Sequence, residues 1–152
     1  GTDVQNIKGI NKINKIKKRN QPMSIILSEF NFIKKKLLLE KAIAQKIENI
    51  LEDGSTCIAK YKPGSFNEVI SHNGKIGFRI PNHIFLKSVL RLYNKPITTT
   101  SVNETGQNPL NCPDKIEEMF GHTIDLLIDE GEIKNIPSKI YMIEMNEITR
   151  IR

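Results

Sequence analysis

The sequence predicts a single α/β domain built around a mixed β-sheet, and two observations support that fold class. Stretches with the apolar spacing of helices alternate along the chain with short runs of β-branched and aromatic residues. No internal repeat and no flexible linker divides the 152 residues, a length that can bury one hydrophobic core. We therefore predict one domain over residues 1–152.

Helices are predicted where apolar residues recur every three or four positions. In the first, isoleucines recur every three residues between about Asn6 and Lys18, and the Asn20-Gln21-Pro22 segment then ends the helix. The second is expected to run without interruption from Phe30 to Leu51. Prolines begin the two that follow. The predicted helical segments are 6–18, 30–51, 84–92 and 116–120.

Strands are predicted where short β-prone runs lie between turn residues. The turns are marked by glycine, asparagine, aspartate and proline, as at Asp53-Gly54 and Asn73-Gly74. The predicted strands are 23–28, 56–61, 76–80, 97–100, 123–129, 138–143 and 148–151.

The positive charge is concentrated in the first part of the chain. Residues 1–62 contain 13 Lys and Arg against 6 Asp and Glu, whereas residues 63–152 contain 10 against 11. This asymmetry favours a polyanionic partner, either a nucleotide or RNA, although lysine-rich helices are also common as solvated surfaces. The absence of tryptophan argues against the aromatic platforms that stack single-stranded bases.

Cysteine content and hydropathy indicate the compartment. Two cysteines, Cys57 and Cys112, do not make a disulfide framework, which favours a reducing environment. No apolar run is long enough to cross a bilayer, and the first residues lack the apolar core of a signal peptide. We expect a cytoplasmic protein without a membrane partner.

A β-prone run that ends in polar residues is the most informative part of the sequence. Ile97 to Thr100 suit a strand, and the segment 101–106 supplies hydroxyl, amide and glycine groups where that strand stops. Side chains and free N–H groups at the end of a sheet can bind an anion. An ordinary polar turn has the same composition, so the segment alone leaves both readings open.

Other polar residues also fall at the ends of predicted elements, where strands of an α/β sheet converge on one crevice. Lysine and arginine would neutralise phosphates there, and serine and asparagine would bond to their oxygens. The alternatives are that Lys17 and Arg19 only cap the first helix and that Arg79 only faces solvent. The candidate residues are Lys17, Arg19, Thr56, Arg79, Ser101, Asn103 and Ser138.

Several kinds of site are excluded by the spacing of residues. The chain lacks the Gly-x-x-x-x-Gly-Lys-Ser/Thr loop of P-loop proteins and the Gly-x-Ser-x-Gly elbow of hydrolases. The two cysteines and three histidines show no spacing typical of metal ligands. Phosphate binding without a protein nucleophile is the chemistry that remains.

Four segments together resemble the YrdC-like family of threonylcarbamoyl-AMP synthases. Lys-Lys-Arg at 17–19 is similar to the Lys-x-Arg motif of the family, and Gly-Phe-Arg-Ile-Pro at 77–81 to its Gly-Val-Arg-Ile/Val-Pro strand. Thr-Ser-Val-Asn-Glu-Thr-Gly at 100–106 resembles the Thr-Ser-Ala-Asn-x-Ser-Gly signature. Ile-Asp-Leu-Leu-Ile-Asp-Glu-Gly at 124–131 resembles Ile-Asp-Leu-Ile-Leu-Asp-Gly-Gly. These segments occur in the family's order across nearly the whole chain.

The resemblance implies a fold, an activity and a set of ligands. The fold would be a strongly twisted mixed sheet with flanking helices and a basic concave face. The activity would be condensation of L-threonine, bicarbonate and ATP to threonylcarbamoyl-AMP and pyrophosphate, with Mg²⁺. Because no cluster of Asp and Glu marks a convincing metal site in the sequence, we expect the ion to arrive with ATP and to take no ligands from the protein. The product would serve tRNA modification, with tRNA or double-stranded RNA and other modification proteins as further partners.

The resemblance also assigns roles to residues, all of them in binding and positioning. The expected ATP-binding residues are Lys17, Arg19, Thr56, Ser101 and Asn103. The expected substrate-binding residues are Ser138, Arg79 and Arg150, with Arg150 a candidate for the threonine carboxylate.

The sequence departs from the family pattern at several points. Gly1-Thr2-Asp3 aligns just after the family's Pro-Thr-Asp-Thr-x-Tyr-Gly-Leu segment, so we expect the first strand and its substrate loop to lie outside this sequence. Glu52-Asp53-Gly54 replaces Pro-Gly-Pro, Lys139 replaces the threonine of a Ser-Thr pair, and Asn20 replaces a proline. These changes keep open an alternative, a nucleotide- or RNA-binding module with impaired catalysis.

Overall fold

The computed structural model describes residues 1–19, 21–134, 136–145 and 147–152. Within these residues, six strands form one mixed sheet in the order β4-β1-β3-β2-β5-β6. The strands are β1 Ser24–Ile26, β2 Thr56–Lys60, β3 Lys75–Arg79, β4 Ile97–Thr99, β5 Ile140–Glu144 and β6 Glu147–Arg150. The helices are α1 Ile7–Ile16, α2 Asn31–Lys34, α3 Lys41–Glu52, α4 Ile84–Tyr93 and α5 Pro113–Phe120, with a 3₁₀ turn at Glu68–Ile70.

The predicted fold class is confirmed by the pairing of the strands. β1 runs parallel to β3, and β2 runs parallel to β5, whereas the other neighbouring pairs are antiparallel. Parallel neighbours need a crossover between them, and helices α2 and α3 lie in the chain between β1 and β3, as α4 and α5 lie between β2 and β5. The chain alternates between strands and helices for this reason.

The core lies on one face of the sheet because side chains of a strand alternate between its two faces. On β3, Ile76 and Phe78 are buried, and the β2 residues Cys57 and Ala59 lie on the same face. Phe78 also stacks on Phe30, with 5.9 Å between ring centroids. Helices α1 and α3 cover this face with a set of buried residues: Ile10, Ile43, Ala44, Ile47 and Leu51.

The predicted helix over 30–51 is wrong, because the structure has two helices there. Residues between α2 and α3 form a bridge in which Leu37 pairs with Tyr61. The N–H of Leu38 donates to Lys60 O at 2.9 Å, and the N–H of Lys62 donates to Lys36 O at 2.8 Å. Leu37 is buried by this pairing, so tertiary contacts override a periodicity that would suit a continuous helix.

The predicted strand over 123–129 is also wrong, and this segment is an irregular loop. The N–H groups of Thr123 and Ile124 bond to Phe120 O and extend the end of α5. The side chains of Leu126 and Ile128 are exposed, and no strand in the described part of the chain pairs with this loop. β-prone residues do not form a strand without a partner for their backbone groups.

The other predicted elements occur with ends shifted by a few residues, as is usual for sequence-based boundaries. Asn20, which we expected to help end the first helix, lies outside the described residues. Across the described ranges, no helix combines the length and the apolar character that crossing a membrane demands.

Replacing Phe78 with alanine should lower the free energy of unfolding by about 3–5 kcal/mol, because a fully buried ring would leave a cavity. Urea denaturation measures the change. Leu92→Ala on α4 is the matched control, since this side chain is 88% exposed and should contribute within about 0.5 kcal/mol. Equal losses in the two variants would contradict this account of the core.

Candidate functional site

The sheet face opposite helices α1 and α3 forms part of a cleft of about 1170 Å³. Strand residues on this face include Thr56, Gly77 and Arg79, which alternate with the buried core residues. Apolar side chains from the loop before α5, from α5 itself and from the segment between α5 and β5 also line it: Leu110, Ile116, Leu127, Ile128 and Ile133. A concave space of this size, with polar groups among apolar ones, is typical of a small-molecule site.

Three of the predicted site residues meet at one end of the cleft. The Oγ atoms of Thr56 and Ser138 lie 2.9 Å apart, and Thr56 N–H donates to Lys139 O at 2.8 Å. Arg79 pairs directly with Thr56 on the neighbouring antiparallel strand. Thr56, Arg79 and Ser138 all line the cleft, so the expected convergence of strand ends is present here.

Arg79 is a cation in the cleft without a carboxylate partner in the described part of the chain. Its side chain is partly buried at the end of β3, and burial lowers the pKa of its guanidinium. Arginine nevertheless stays charged at any physiological pH. A partly desolvated cation without a counter-ion among the described residues is suited to an anionic ligand.

The polar turn after β4 lies against the end of α1. Lys17 Nζ donates to Ser101 O at 2.6 Å, to Asn103 O at 2.6 Å and to Asn103 Oδ1 at 2.7 Å. Ser101 Oγ donates to Asn103 Oδ1 at 2.6 Å, and Asn103 Nδ2 donates to Gln107 O at 2.7 Å. Ser101 lines the cleft, whereas Lys17 and Asn103 are not among its lining residues.

Burial lowers the pKa of the Lys17 ammonium group, and its hydrogen bonds occupy all three of its donors. The residue is only 4% exposed, and burial lowers its pKa to about 8, with a smaller contribution from the nearby charge of Arg19. An ammonium group has three donors, and here all three have acceptors. In this conformation Lys17 has no donor left for a ligand.

Arg19 differs from Lys17 in that its donors lack partners. Its Nε and Nη2 atoms are buried and have no hydrogen-bond partner among the described residues. Burial lowers the pKa of the guanidinium. Arg19 does not line the cleft, so its expected contact with ATP stays a prediction.

The structure places Arg152, rather than Arg150, at the cleft. Arg150 pairs with Tyr141 across β5 and β6, and Tyr141 packs on the core side of the sheet. Because cross-strand partners share a face, Arg150 points away from the cleft. Arg152 lines the cleft and donates to Ser138 O from Nε at 3.3 Å and from Nη2 at 3.1 Å. No pattern in the sequence marks Arg152, because it follows the last strand.

Two departures from the family pattern contact each other beside Thr56. Asp53 Oδ2 lies 3.2 Å from Lys139 Nζ, and Asp53 Oδ1 accepts from Ser55 N–H at 2.9 Å and from the Ser55 hydroxyl. The Ser55 hydroxyl is the main cause of a lowered Asp53 pKa, which burial opposes and Lys139 reinforces. The ion pair joins the turn before β2 to the residue before β5, next to the contact between Thr56 and Ser138.

Carboxylates are rare in the cleft. Glu130 is the one acidic side chain among its described lining residues, and it pairs with His83 at 2.8 Å. Within the described ranges, no group of three or more His, Cys, Asp or Glu side chains is placed to hold a metal ion. This donor set does not fit a Mg²⁺ ion held by the protein, since such ions prefer carboxylate oxygens.

Fold and site together define an α/β domain with one face of its sheet in the core and an open cationic cleft on the other. The chain belongs to the Sua5/YciO/YrdC family, described as telomere recombination, whose profile matches residues 1–152. The family that the motifs suggested is thereby confirmed.

Similar proteins are found among curated sequences and solved structures. The chain is 32% identical over 150 residues to a putative threonylcarbamoyl-AMP synthase of Methanocaldococcus jannaschii, covering 97% of this chain and 70% of the relative. It is 25% identical to a threonylcarbamoyl-AMP synthase of Buchnera aphidicola, covering 99% of this chain and 83% of the relative. P. abyssi Sua5 complexed with L-threonine superimposes with a TM-score of 0.86 at 19% identity, over 99% of this chain and 45% of that one.

Replacing Asp53 with asparagine should lower the free energy of unfolding at pH 7 by about 0.2–1 kcal/mol, the usual range for a half-exposed ion pair. Asparagine keeps an acceptor for Ser55 but loses the charge. Because folding lowers the Asp53 pKa, its contribution is full above the ordinary carboxyl pKa and is lost as pH falls through the lowered one.

Urea denaturation between pH 7 and pH 2 checks this prediction. Asp125→Asn is the matched control, because it removes another ion-paired carboxylate whose side chain is 92% exposed. A difference between wild type and Asp53→Asn that stays constant down to pH 2 would contradict the role assigned to the Asp53 charge.

Proposed function

We propose that this chain acts in the synthesis of threonylcarbamoyl-AMP from L-threonine, bicarbonate and ATP, in the cytoplasm and for tRNA modification. The observation that carries the proposal is the meeting of Arg79, the Thr56 and Ser138 hydroxyls and the Ser101 turn at one cleft. Two relatives that match nearly the whole chain carry the name of this enzyme. The L-threonine in P. abyssi Sua5 supports threonine as a substrate here.

The proposed reaction needs no nucleophile from the protein. The amine of threonine adds to bicarbonate and loses water, which gives a carbamate. A carbamate oxygen then attacks the α-phosphorus of ATP, and the bond to the bridging oxygen breaks to release pyrophosphate. The protein has to hold three anions close together and stabilise the charge that develops on the phosphates.

The cleft offers groups for each of these tasks. Arg79 provides a fixed positive charge, and Arg152 adds a second guanidinium beside Ser138. The Thr56 and Ser138 hydroxyls bond to each other, so one hydroxyl hydrogen of the pair stays free to donate to a sugar or carboxylate oxygen. Because a protein-held Mg²⁺ does not fit the donor set, we propose that the ion arrives bound to ATP.

Pyrophosphate release in the presence of ATP, threonine and bicarbonate tests the proposal. We expect release that depends on threonine, and a fall in rate of roughly a hundredfold in Arg79→Gln, because one fixed charge at the phosphates is lost. Arg91→Gln on α4 is the matched control, since this exposed arginine lies outside the cleft. Release without threonine, or an Arg79→Gln variant with the wild-type rate, would contradict the proposal.

A second candidate function is RNA binding without synthesis, and one surface favours it. We define the lysine ridge as Lys36, Lys60 and Lys62, which flank the bridge between Leu37 and Tyr61. Leu37 and Tyr61 point inward and are buried. The three lysines are their neighbours in the chain, so they point outward, and all three are exposed. Lys36 lies directly opposite Lys62, and the bonding pattern fixes this pairing.

The lysines of the lysine ridge repel one another in the free protein. Like charges directly opposite each other on paired strands repel. None of the three lysines forms an ion pair with a described carboxylate, although Lys36 lies 5.3 Å from the ring centre of Phe66. Lys60 lies opposite Lys75, which lines the cleft and is ion-paired with Glu144, so the unpaired positive charge of the ridge is concentrated at Lys36 and Lys62. A polyanion such as tRNA would relieve the repulsion.

Binding of tRNA at increasing salt tests the second candidate. The double variant Lys36→Gln/Lys62→Gln should reduce the slope of log affinity against log salt by about 2, because two phosphate contacts are lost. Lys41→Gln/Lys46→Gln on α3 removes the same charge from another exposed surface and serves as the control. Equal slopes in both double variants would contradict binding at the ridge, and tRNA binding without pyrophosphate release would favour the second candidate over the first.

A further inference from the structure

We propose that Lys17 is a positioning residue whose ammonium group holds the turn 101–107 in shape, rather than a direct ligand of the phosphates. The proposal starts from the number of contacts that this one residue makes. Its Nζ donates to three oxygens of the turn at 2.6–2.7 Å. Its own carbonyl accepts from the N–H of Thr105 at 3.1 Å and from the Thr105 hydroxyl at 3.0 Å. Five hydrogen bonds thus join Lys17 to a turn more than 80 residues away in sequence.

The contacts of Lys17 determine the direction of two peptide groups. In a trans peptide, the C=O and the N–H of the next residue point in opposite directions, and the described chain has no cis peptide bond. Because Ser101 O and Asn103 O point at the buried ammonium, the N–H groups of Val102 and Glu104 point away from it. Neither N–H has an acceptor among the described residues. Lys17 therefore turns two free donors outward, and Val102 lines the cleft.

The side chain of Asn103 is fixed by the same contacts. Its Oδ1 accepts from both Lys17 and Ser101, and its Nδ2 donates to Gln107 O. The Ser101 hydroxyl uses its hydrogen in this bond, so its oxygen stays available as an acceptor. By fixing Asn103, Lys17 leaves the Ser101 hydroxyl oxygen, and not its hydrogen, available to a substrate.

A compact cation is required for this role. An ammonium group directs three donors from one atom, whereas the guanidinium of arginine carries its donors in a rigid plane. Arginine at position 17 would keep the charge without reaching the three oxygens from one point. A residue that only neutralised phosphates would tolerate this exchange better, and this difference separates the two roles.

Any contribution of Lys17 to catalysis rests on the proposed function. The hydrogen bonds between Lys17 and the turn 101–107 in the free protein do not depend on it. The turn would offer its outward N–H groups to an anionic oxygen of the substrates, and the cations that contact phosphate would be arginines. Two arginines are suited to contacting phosphate. Arg79 lines the cleft, and Arg19 has buried donors without a partner among the described residues.

Amide hydrogen exchange of the free protein tests the proposal without any ligand. The amides of Thr105, Gln107 and Leu110 are bonded within the turn or to the backbone of residue 17, so they report its closure. We expect exchange at these amides to accelerate at least tenfold in both Lys17→Met and Lys17→Arg. Exchange at Phe78 in the centre of the sheet should stay unchanged, which separates local opening from global unfolding.

Lys15→Met is the matched control, because Lys15 is an exposed lysine of the same helix and should leave the turn protected. Wild-type exchange of the turn in Lys17→Met would overturn the proposal, and so would wild-type protection together with wild-type ATP affinity in Lys17→Arg. If wild-type protein releases no pyrophosphate while the exchange result holds, the proposed function fails and the positioning role of Lys17 stands.

Discussion

The alternation of side chains along β3 is the constraint on which both the core and the cleft depend. β3 lies between β1 and β2, so its backbone groups are bonded on both sides and its register is fixed. This fixed register places Phe78 in the core and the adjacent Arg79 in the cleft. A shift of one residue would bury the charge of Arg79 and expose the ring of Phe78, so the packing of one face holds the chemistry of the other in place.

Two kinds of buried positive charge serve different purposes near the cleft. Lys17 is buried with every donor satisfied, and its cost of desolvation is offset by contacts that order a turn. Arg19 and Arg79 are partly buried without carboxylate partners among the described residues, and we propose that an anionic ligand compensates their desolvation. In the proposed site, the satisfied cation shapes a turn, whereas the unsatisfied ones are available to bind an anion.

The sequence was most informative where local rules act alone. Short β-prone runs between turn residues predicted the strands around Cys57 and Phe78, and the convergence of strand ends predicted that Thr56 and Ser138 meet. Features that depend on partners distant in the chain were not predictable. Leu37 leaves a helical pattern because Tyr61 pairs with it, and the segment 123–129 lacks any strand to pair with. The positioning role proposed for Lys17 depends on carbonyl groups more than 80 residues away in the chain. The direction of a carbonyl group cannot be predicted from a pattern of residue types.

The pairing of Asp53 with Lys139 has a consequence for the environment in which this cleft keeps its shape. The family pattern places Pro-Gly-Pro before the conserved threonine, and proline restricts a turn covalently through its fixed φ angle. In this chain, two half-exposed charges join the same turn to the start of β5. Dissolved ions screen such a pair, with a Debye length of about 10 Å at 0.1 M. Salt therefore weakens this link between the turn before β2 and the start of β5, whereas it would not weaken the covalent restriction of a proline turn.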